Sequence, residues 1–152
     1  MRRLKCAEHR YEMRGLHGII LHDITLISCP RCGHSELVVP IIEELHHAIA
    51  RAIIAKRQRL MPKEIRFLRK QLRLSAVELA THLGATPESV SRWENGRTPM
   101  GVAADRLLRL MVVVAQGAAY ALSGLRIVAR QEPRATPIHV RWTDGAWEAL
   151  RR

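Results

Sequence analysis

The chain has 152 residues, a formal net charge of +11 and three cysteines. This length is enough for one domain or two small ones with a real core. The basic excess favours a polyanionic partner, either nucleic acid or an acidic membrane surface. No apolar signal-peptide region is evident, and the longest apolar run, Leu110 to Ala115, is far below the roughly 20 residues of a membrane span. We therefore expect a cytoplasmic protein without a membrane partner.

Four residues near the N-terminus predict a metal site. Cys29 and Cys32 form a knuckle, in which Gly33 allows the turn that aims two thiolates at one point. Cys6 and His9 offer a thiolate and an imidazole at the same spacing. A Cys3His set is typical of a closed structural zinc site with no open catalytic position, and soft thiolates favour zinc over magnesium or calcium. We predict one structural zinc ion per chain.

Two points about this site stay open. The fourth ligand could instead be His17, His22 or His34, although His9 has the favoured spacing. The two close cysteines alone could also be a redox pair, but no strand–helix pattern of the thioredoxin kind surrounds them. An odd number of cysteines argues against a disulfide framework.

The rest of the N-terminal region predicts short strands and then a helix. Residues 18–28 are β-branched and roughly alternating, and residues 36–39 are a predicted return strand. Two short strands cannot bury enough surface to fold alone, so folding should depend on the metal. Residues 41–60 carry apolar side chains at helical spacing. This connecting helix could pack on a neighbouring element or pair with its copy in a homodimer.

Residues 63–74 predict the first helix of a second domain. One face is apolar and the other is basic. A basic face is commonly just solvated, but beside a groove-reading helix we expect it to contact phosphates. Arg66 and Lys70 are the predicted phosphate-contacting residues of this helix.

The most informative stretch is SAVELATHLGATPESVSRWENGRT, residues 75–98. Ser75 followed three residues later by Glu78 is a capping box, which predicts the start of a helix. Gly84 is placed to end that helix in a left-handed turn. Thr86 then provides a second N-cap, with proline at the first helical position. Two short helices joined by about three residues that include a glycine form a helix-turn-helix arrangement.

The outward face of the second helix suits a DNA major groove, because it carries short polar groups and an arginine near a capped helix end. An ordinary helical hairpin is the alternative interpretation. The predicted DNA-contacting residues of this stretch are Thr86, Glu88, Ser89, Ser91, Arg92, Arg97 and Thr98.

The C-terminal part predicts one more helix and a hairpin. Residues 102–122 have an apolar stripe, and Val112 and Val113 exceed what one stripe needs, which suggests a second apolar surface and a homodimer. Residues 138–142 alternate strictly, and the following Asp144-Gly145 pair predicts a tight hairpin turn. This hairpin could be a small edge ribbon that packs on the main domain.

The predicted fold class is therefore mainly α. It combines a small zinc-ribbon-like domain with short strands at residues 1–40, a connecting helix at 41–60, a five-helix-type helix-turn-helix domain at 61–122, and a tail with a β-hairpin at 123–152.

Several strings of the sequence carry a family resemblance. SAVELA at 75–80 and VSRWENG at 90–96 look like the Cro/C1-type (XRE) helix-turn-helix. EIRFLR at 64–69 and ADRLLR at 104–109, together with the N-terminal knuckles, resemble the MqsA-type proteins, in which a YgiT-type zinc finger precedes the helix-turn-helix. The resemblance covers residues 4–115 and leaves the tail unexplained.

The resemblance implies a bacterial transcriptional regulator that dimerises through its C-terminal half and binds palindromic double-stranded operators. In antitoxin members it also implies an N-terminal zinc domain that binds and silences an mRNA-cleaving toxin. Three positions depart from the family: His9 replaces a cysteine ligand, Ala76 replaces a glutamine, and Glu88 replaces the asparagine of antitoxin members. Since asparagine prefers adenine and a carboxylate can accept from cytosine, operator preference should differ.

The predicted function is a repressor that serves as the antitoxin of a type II toxin–antitoxin pair. The alternative is a stand-alone regulator without a toxin. An RNA-binding zinc ribbon is disfavoured, because few aromatic side chains are available to stack on bases. No catalytic triad, phosphate loop or open metal site is evident, so we do not expect an enzyme.

Overall fold

The computed structural model describes residues 1–13, 15–117, 124 and 126–150. The chain divides into two compact units. One unit comprises Met1–Met13, His17–Ile49 and Thr136–Arg152, and the other comprises Arg14–Leu16 and Ala50–Ala135. Within the described residues, no helix is long and apolar enough to cross a membrane.

The first unit is built on a five-stranded sheet. Its strands are β1 (Arg2–Met13), β2 (Leu16–Ser28), β3 (Ser35–Val38), β4 (Ile138–Thr143) and β5 (Ala146–Leu150). The order is β1-β2-β4-β5, and β3 pairs with β2 off this path. The strand predicted at residues 18–28 and the return strand predicted at 36–39 are confirmed as β2 and β3.

The C-terminal hairpin is a component of this sheet. β4 and β5 pair antiparallel, with Thr143 opposite Ala146, and the turn residues Asp144 and Gly145 have φ of 50° and 86°. Positive φ at both turn positions is what a two-residue hairpin turn requires. The predicted hairpin is therefore confirmed. β4 also pairs in parallel with β2, from Ile19 to His22.

Side-chain contacts reinforce the attachment of the hairpin within the first unit. The indole Nε1 of buried Trp147 donates to the carbonyl of Pro40 at 2.7 Å. Nε2 of His22, on β2, lies 2.9 Å from Nδ1 of His139, on β4. The core of this unit consists of buried apolar side chains from the sheet and the following helix, chiefly Ile19, Leu21, Ile24, Leu45, Ile49, Ile138, Val140 and Trp147.

The predicted fold class, mainly α, is wrong, because the described residues form a mixed α/β structure. The main omission was β1, whose side chains are mostly exposed and include four cations. An exposed edge strand has little apolar alternation, so its sequence resembles a loop. The prediction also places the tail, residues 123–152, outside the N-terminal domain, but β4 extends the sheet of that domain.

The remaining elements are helices. They are α1 (Ile42–Ile54), α2 (Pro62–Gln71), α3 (Ala76–Leu83), α4 (Pro87–Glu94) and α5 (Val102–Ala115). The boundary between the two units falls within α1, after Ile49. The predicted helix at 41–60 is shorter than expected. In the predicted helix-turn-helix domain, the described residues form four helices, α2 to α5, where a five-helix type was expected.

Arg109 binds the backbone at and just after the end of α1, which is at Ile54. Its fully buried guanidinium donates to the carbonyls of Ile54, Lys56 and Gln58 at 2.9, 2.6 and 2.6 Å, and to Oδ1 of Asp105 at 2.6 Å. The last carbonyls of a helix have no partner within the helix, and the guanidinium supplies one for Ile54. The segment after α1 is therefore fixed against α5, within the second unit.

Helix α5 also ends earlier than the predicted residue 122. Gln116 is its C-cap, and Gly117 has a φ of 62°, in the left-handed region that commonly ends a helix. The rest of the predicted extension, residues 118–122, lies outside the described residues.

Candidate nucleic-acid interface

The helix-turn-helix forms with the caps that the sequence predicts. Ser75 Oγ accepts from the N–H of Glu78 at 3.1 Å, and the Glu78 carboxylate accepts from the N–H of Ser75 at 2.7 Å. Gly84 has a φ of 63° and ends α3. Thr86 Oγ1 then accepts from the N–H of Ser89 at 3.2 Å and caps α4. The predicted capping box, left-handed turn and second N-cap are all confirmed.

Helix α4 is fixed to α2 by a buried carboxylate. Glu94 Oε1 accepts from Nε of Arg69 at 2.6 Å, and its Oε2 accepts from Nη2 of Arg69 at 3.0 Å and from Nε of Arg66 at 3.2 Å. Arg69 also donates to the carbonyl of Leu74 at 2.9 Å, next to the cap of α3. One guanidinium therefore holds α2, the turn before α3 and the end of α4 together.

The charges of this cluster compensate one another. Burial raises the pKa of Glu94, but hydrogen bonds from Arg69 and the charges of Arg69 and Arg66 outweigh it, so the pKa lies below its ordinary value. The hydrogen bonds to Glu94 raise the pKa of Arg69. Both groups stay ionised at neutral pH, and the inner face of α4 carries a neutralised pair.

The outer face of α4 holds most of the residues predicted to contact DNA. Ser89 is half-buried and bonds to Thr86, and the remaining members of the set on α4 and just beyond it are exposed. The exposed members are Thr86, Glu88, Ser91, Arg92, Arg97 and Thr98. The structure therefore brings the predicted groove-facing residues together on one helix and its flanks.

The two predicted phosphate-contacting residues of α2 have different surroundings. Lys70 is exposed. Arg66 is half-buried, with 35% of its side chain exposed, and it donates to Glu94. Arg66 therefore has a structural partner, and its role in contacting phosphate stays a prediction, as does that of Lys70.

Sequence reasoning missed the roles of Arg69 and Glu94, although both belong to strings quoted for the family resemblance. A signal was present, because Glu94 lies four residues after buried Val90 and so falls on the inward face of α4. A carboxylate on an inward face requires a cation or hydrogen-bond donors. Arg69, one residue after buried Leu68, supplies both.

Three further buried charged side chains, those of Lys56, Glu64 and Asp105, support the helix-turn-helix unit. Lys56 Nζ donates to Oε1 of Glu64 at 2.6 Å, and both side chains are 7% exposed. Glu64 Oε2 accepts from the N–H of Met61 at the start of α2. Asp105 Oδ2 accepts from the N–H of Leu60 at 2.7 Å. These contacts fix the segment before α2.

Of the four predicted zinc ligands, the structure brings Cys29 and Cys32 together in a tight turn. The N–H of Gly33 donates to the carbonyl of Cys29 at 2.9 Å. Backbone hydrogen bonds from Cys32 and Arg31, followed by the side-chain hydrogen bond with Cys32, lower the pKa of the Cys29 thiol. A lowered pKa favours the thiolate, which is the form that binds metal. This pair fits two positions of a zinc site.

Cys6 and His9 do not fit the same ion in this structure. Both lie in β1, three residues apart, and residues an odd number of positions apart in a strand project to opposite faces. The Cys6 thiol bonds to the carbonyl of Glu8 at 3.1 Å. In the described part of the chain, no three His, Cys, Asp or Glu side chains are grouped to hold a metal ion.

One comparison with known proteins bears on the helix-turn-helix unit. Residues 63–124 match the family model described as a helix-turn-helix domain. No curated protein and no solved structure matches the chain. The match begins one residue after the start of α2 and includes all of α3, α4 and α5. Residues 63–124 of this chain are therefore a helix-turn-helix domain of the kind found in DNA-binding regulators.

Proposed function

We propose that the protein is a sequence-specific double-stranded DNA-binding transcriptional repressor of the XRE type. The observation that supports this most directly is the position of α4. Its inner face is fixed through Glu94 to Arg69 and its outer face presents Glu88 and Arg92 to solvent. A rigid helix with exposed base-reading side chains is what the major groove requires.

The charges around α4 agree with this proposal. Arg92 and Arg97 are exposed at the end of α4 and just past it, and exposed Lys70 lies on α2. Exposed cations bind phosphates and give affinity without sequence information, whereas groups on the groove-facing helix give specificity. Because Glu94 is neutralised by Arg69, its carboxylate opposes this cationic surface less than an unpaired one would.

We further propose that the protein acts as a homodimer on a palindromic operator. Leu107 and Val114 of α5 are 38% and 72% exposed, and Val102 is 38% exposed. Large apolar side chains exposed on one helix are a feature of protein interfaces. Two recognition helices related by a two-fold axis would contact half-sites about 10 base pairs apart, or a multiple of that.

The assembly proposal is tested by sedimentation of the full-length protein and by a footprint on an operator selected from random duplexes. We expect sedimentation to show a dimer and the footprint to cover an inverted repeat. Leu107→Ser combined with Val114→Ser should shift the species towards monomer, whereas Val77→Ser, which changes an exposed valine on α3, should not. A monomer at micromolar concentration with and without DNA would contradict the proposal.

The antitoxin role rests on the family resemblance and is the more specific part of the proposal. It assigns binding of a small mRNA-cleaving toxin to the N-terminal residues 1–40. The stand-alone regulator is the second candidate. Co-expression distinguishes the two: growth arrest by a toxin encoded beside this gene should be relieved by the full-length protein. Absence of relief, with operator binding intact, would favour the stand-alone regulator.

The zinc ion is also part of the proposal. The Cys29–Cys32 turn and the lowered pKa of Cys29 support metal binding there. The positions of Cys6 and His9 in β1 count against their binding the same ion without a rearrangement of that strand. If bound, zinc would have a structural role, because a closed thiolate site leaves no open position for a substrate.

A further inference from the structure

The hydrogen bonds on the outer face of α4 show which side chains have groups available to read bases. The hydroxyls of Thr86 and Ser89 bond to each other, and Thr86 caps the helix. The side-chain amide of Asn95 donates to the carbonyl of Ser91 at 2.8 Å and approaches Ser91 Oγ at 3.3 Å. The amide that could pair with adenine is therefore engaged with its own helix.

Glu88 and Arg92 differ from these residues. Both are exposed, and neither side chain forms a hydrogen bond or ion pair within the described part of the chain. They are four residues apart, so they lie on the same side of α4, separated by about 6 Å along the helix axis. They are the charged, unpaired groups that α4 offers to a ligand.

The chemistry of these two groups selects bases. A guanidinium donates in bidentate fashion to O6 and N7 of guanine, and a carboxylate accepts from the N4 amino group of cytosine. A carboxylate is repelled by the N7 acceptor beside the amino group of adenine. A separation of about 6 Å corresponds to about two base-pair steps of 3.4 Å.

From this arrangement we propose that each operator half-site contains a guanine read by Arg92 and a cytosine read by Glu88, in one base pair or in base pairs at most two steps apart. The inference rests on the proposed DNA-binding function and specifies its target. Each half-site therefore requires G·C base pairs where Glu88 and Arg92 contact the bases. Asn95 does not select adenine.

The test is selection from random duplexes with the full-length protein, followed by titration of single-base variants of the enriched site. We expect the wild type to prefer cytosine by about tenfold at one position and guanine by about tenfold at a position within two base pairs. Glu88→Gln preserves size and adds an amide that pairs with adenine, so it should move the first preference from cytosine to adenine. Arg92→Ala should remove the guanine preference.

Matched controls separate base reading from a general charge effect. Glu43→Gln makes the same charge change at an exposed carboxylate on α1, and Arg57→Ala removes an exposed cation outside α4. Both should leave all base preferences unchanged. An enriched operator whose preferences are unaltered in Glu88→Gln and Arg92→Ala would overturn this inference alone. Failure to enrich any duplex would overturn the proposed function itself.

Discussion

The carboxylate of Glu94 lies against the guanidinium of Arg69 in a two-point contact, with oxygen–nitrogen distances of 2.6 and 3.0 Å. The side chains are 5% and 13% exposed. This pair joins α4, the proposed recognition helix, to α2, so it should determine how firmly the proposed groove-facing side chains are held. Its removal should therefore affect both folding and DNA binding.

Arg69→Met should reduce the free energy of unfolding by about 3 kcal/mol, because it leaves the buried Glu94 carboxylate with Arg66 as its remaining partner. Lys70→Met, which removes an exposed cation from the next position of α2, should change it by less than about 0.5 kcal/mol. Urea unfolding followed by circular dichroism measures both. Equal losses in the two variants would show that the Arg69–Glu94 contact does not stabilise the domain.

The same pair predicts a pH dependence. The folded state lowers the pKa of Glu94, so its ion pairs stabilise the protein fully above the unfolded-state value of about 4.3. That contribution is lost as the pH falls through the lower folded-state pKa. Unfolding free energies between pH 3 and 6 should therefore decline less steeply in Glu94→Gln than in the wild type. An identical pH dependence of the unfolding free energy in the two proteins would show that the ion pairs of Glu94 do not contribute to it.

Metal analysis of the purified protein tests the zinc prediction. About one zinc ion per chain is expected, and Cys29→Ser and Cys32→Ser should each lose it. His9→Ala is the informative variant, since His9 lies in β1 and projects away from Cys6. Loss of zinc in His9→Ala would show that β1 rearranges to bind metal. Full retention would assign the fourth ligand to another residue, and a metal-free wild type would refute the site.

The DNA-binding unit should function without the sheet. A fragment from Ala50 to Ala135 keeps the carbonyls that Arg109 binds and the Arg59–Glu132 ion pair, at 2.6 Å. We expect this fragment to bind a selected operator within about tenfold of the full-length protein, or about 1.4 kcal/mol. A fragment that begins at Met61 lacks those partners of Arg109 and should be less stable. If the longer fragment is folded and dimeric but does not bind, the sheet unit contacts DNA itself.

The helix-turn-helix could be predicted from the sequence because local signals specify it. Ser75 with Glu78, Gly84 and Thr86 act within a few residues of chain, and each forms the predicted cap or turn. The Asp144-Gly145 turn is local in the same sense. These features depend on backbone geometry that a single residue type largely decides.

The sheet could not be predicted in the same way, because its pairing joins distant parts of the chain. β2 and β4 are more than a hundred residues apart, and the Trp147–Pro40 hydrogen bond spans 107 positions. β1 carries cations along an exposed edge, so it lacks the alternation that indicates a strand. The zinc prediction depends on the spacing of Cys6 and His9, and the extended backbone of β1 directs their side chains to opposite faces.

The ion pairs of the candidate site also could not be predicted from local sequence. Arg66, Arg69 and Lys70 form a basic series in the sequence, and nothing local separates a buried partner of Glu94 from a solvated cation. The distinction depends on how α2 packs against α4. Sequence pattern identifies the exposed face of the recognition helix well, but which charges are neutralised beneath it depends on tertiary contacts.

Fluorescence anisotropy with a labelled selected operator and a scrambled duplex, at one salt concentration, tests base reading by α4 most directly. The wild type should bind the operator at least about a thousandfold more tightly than the scrambled duplex. Arg92→Ala should weaken operator binding by about tenfold or more and leave scrambled-duplex binding within about twofold. Equal losses on both duplexes would show that Arg92 contacts phosphate only. Equal wild-type affinity for both would contradict sequence-specific recognition.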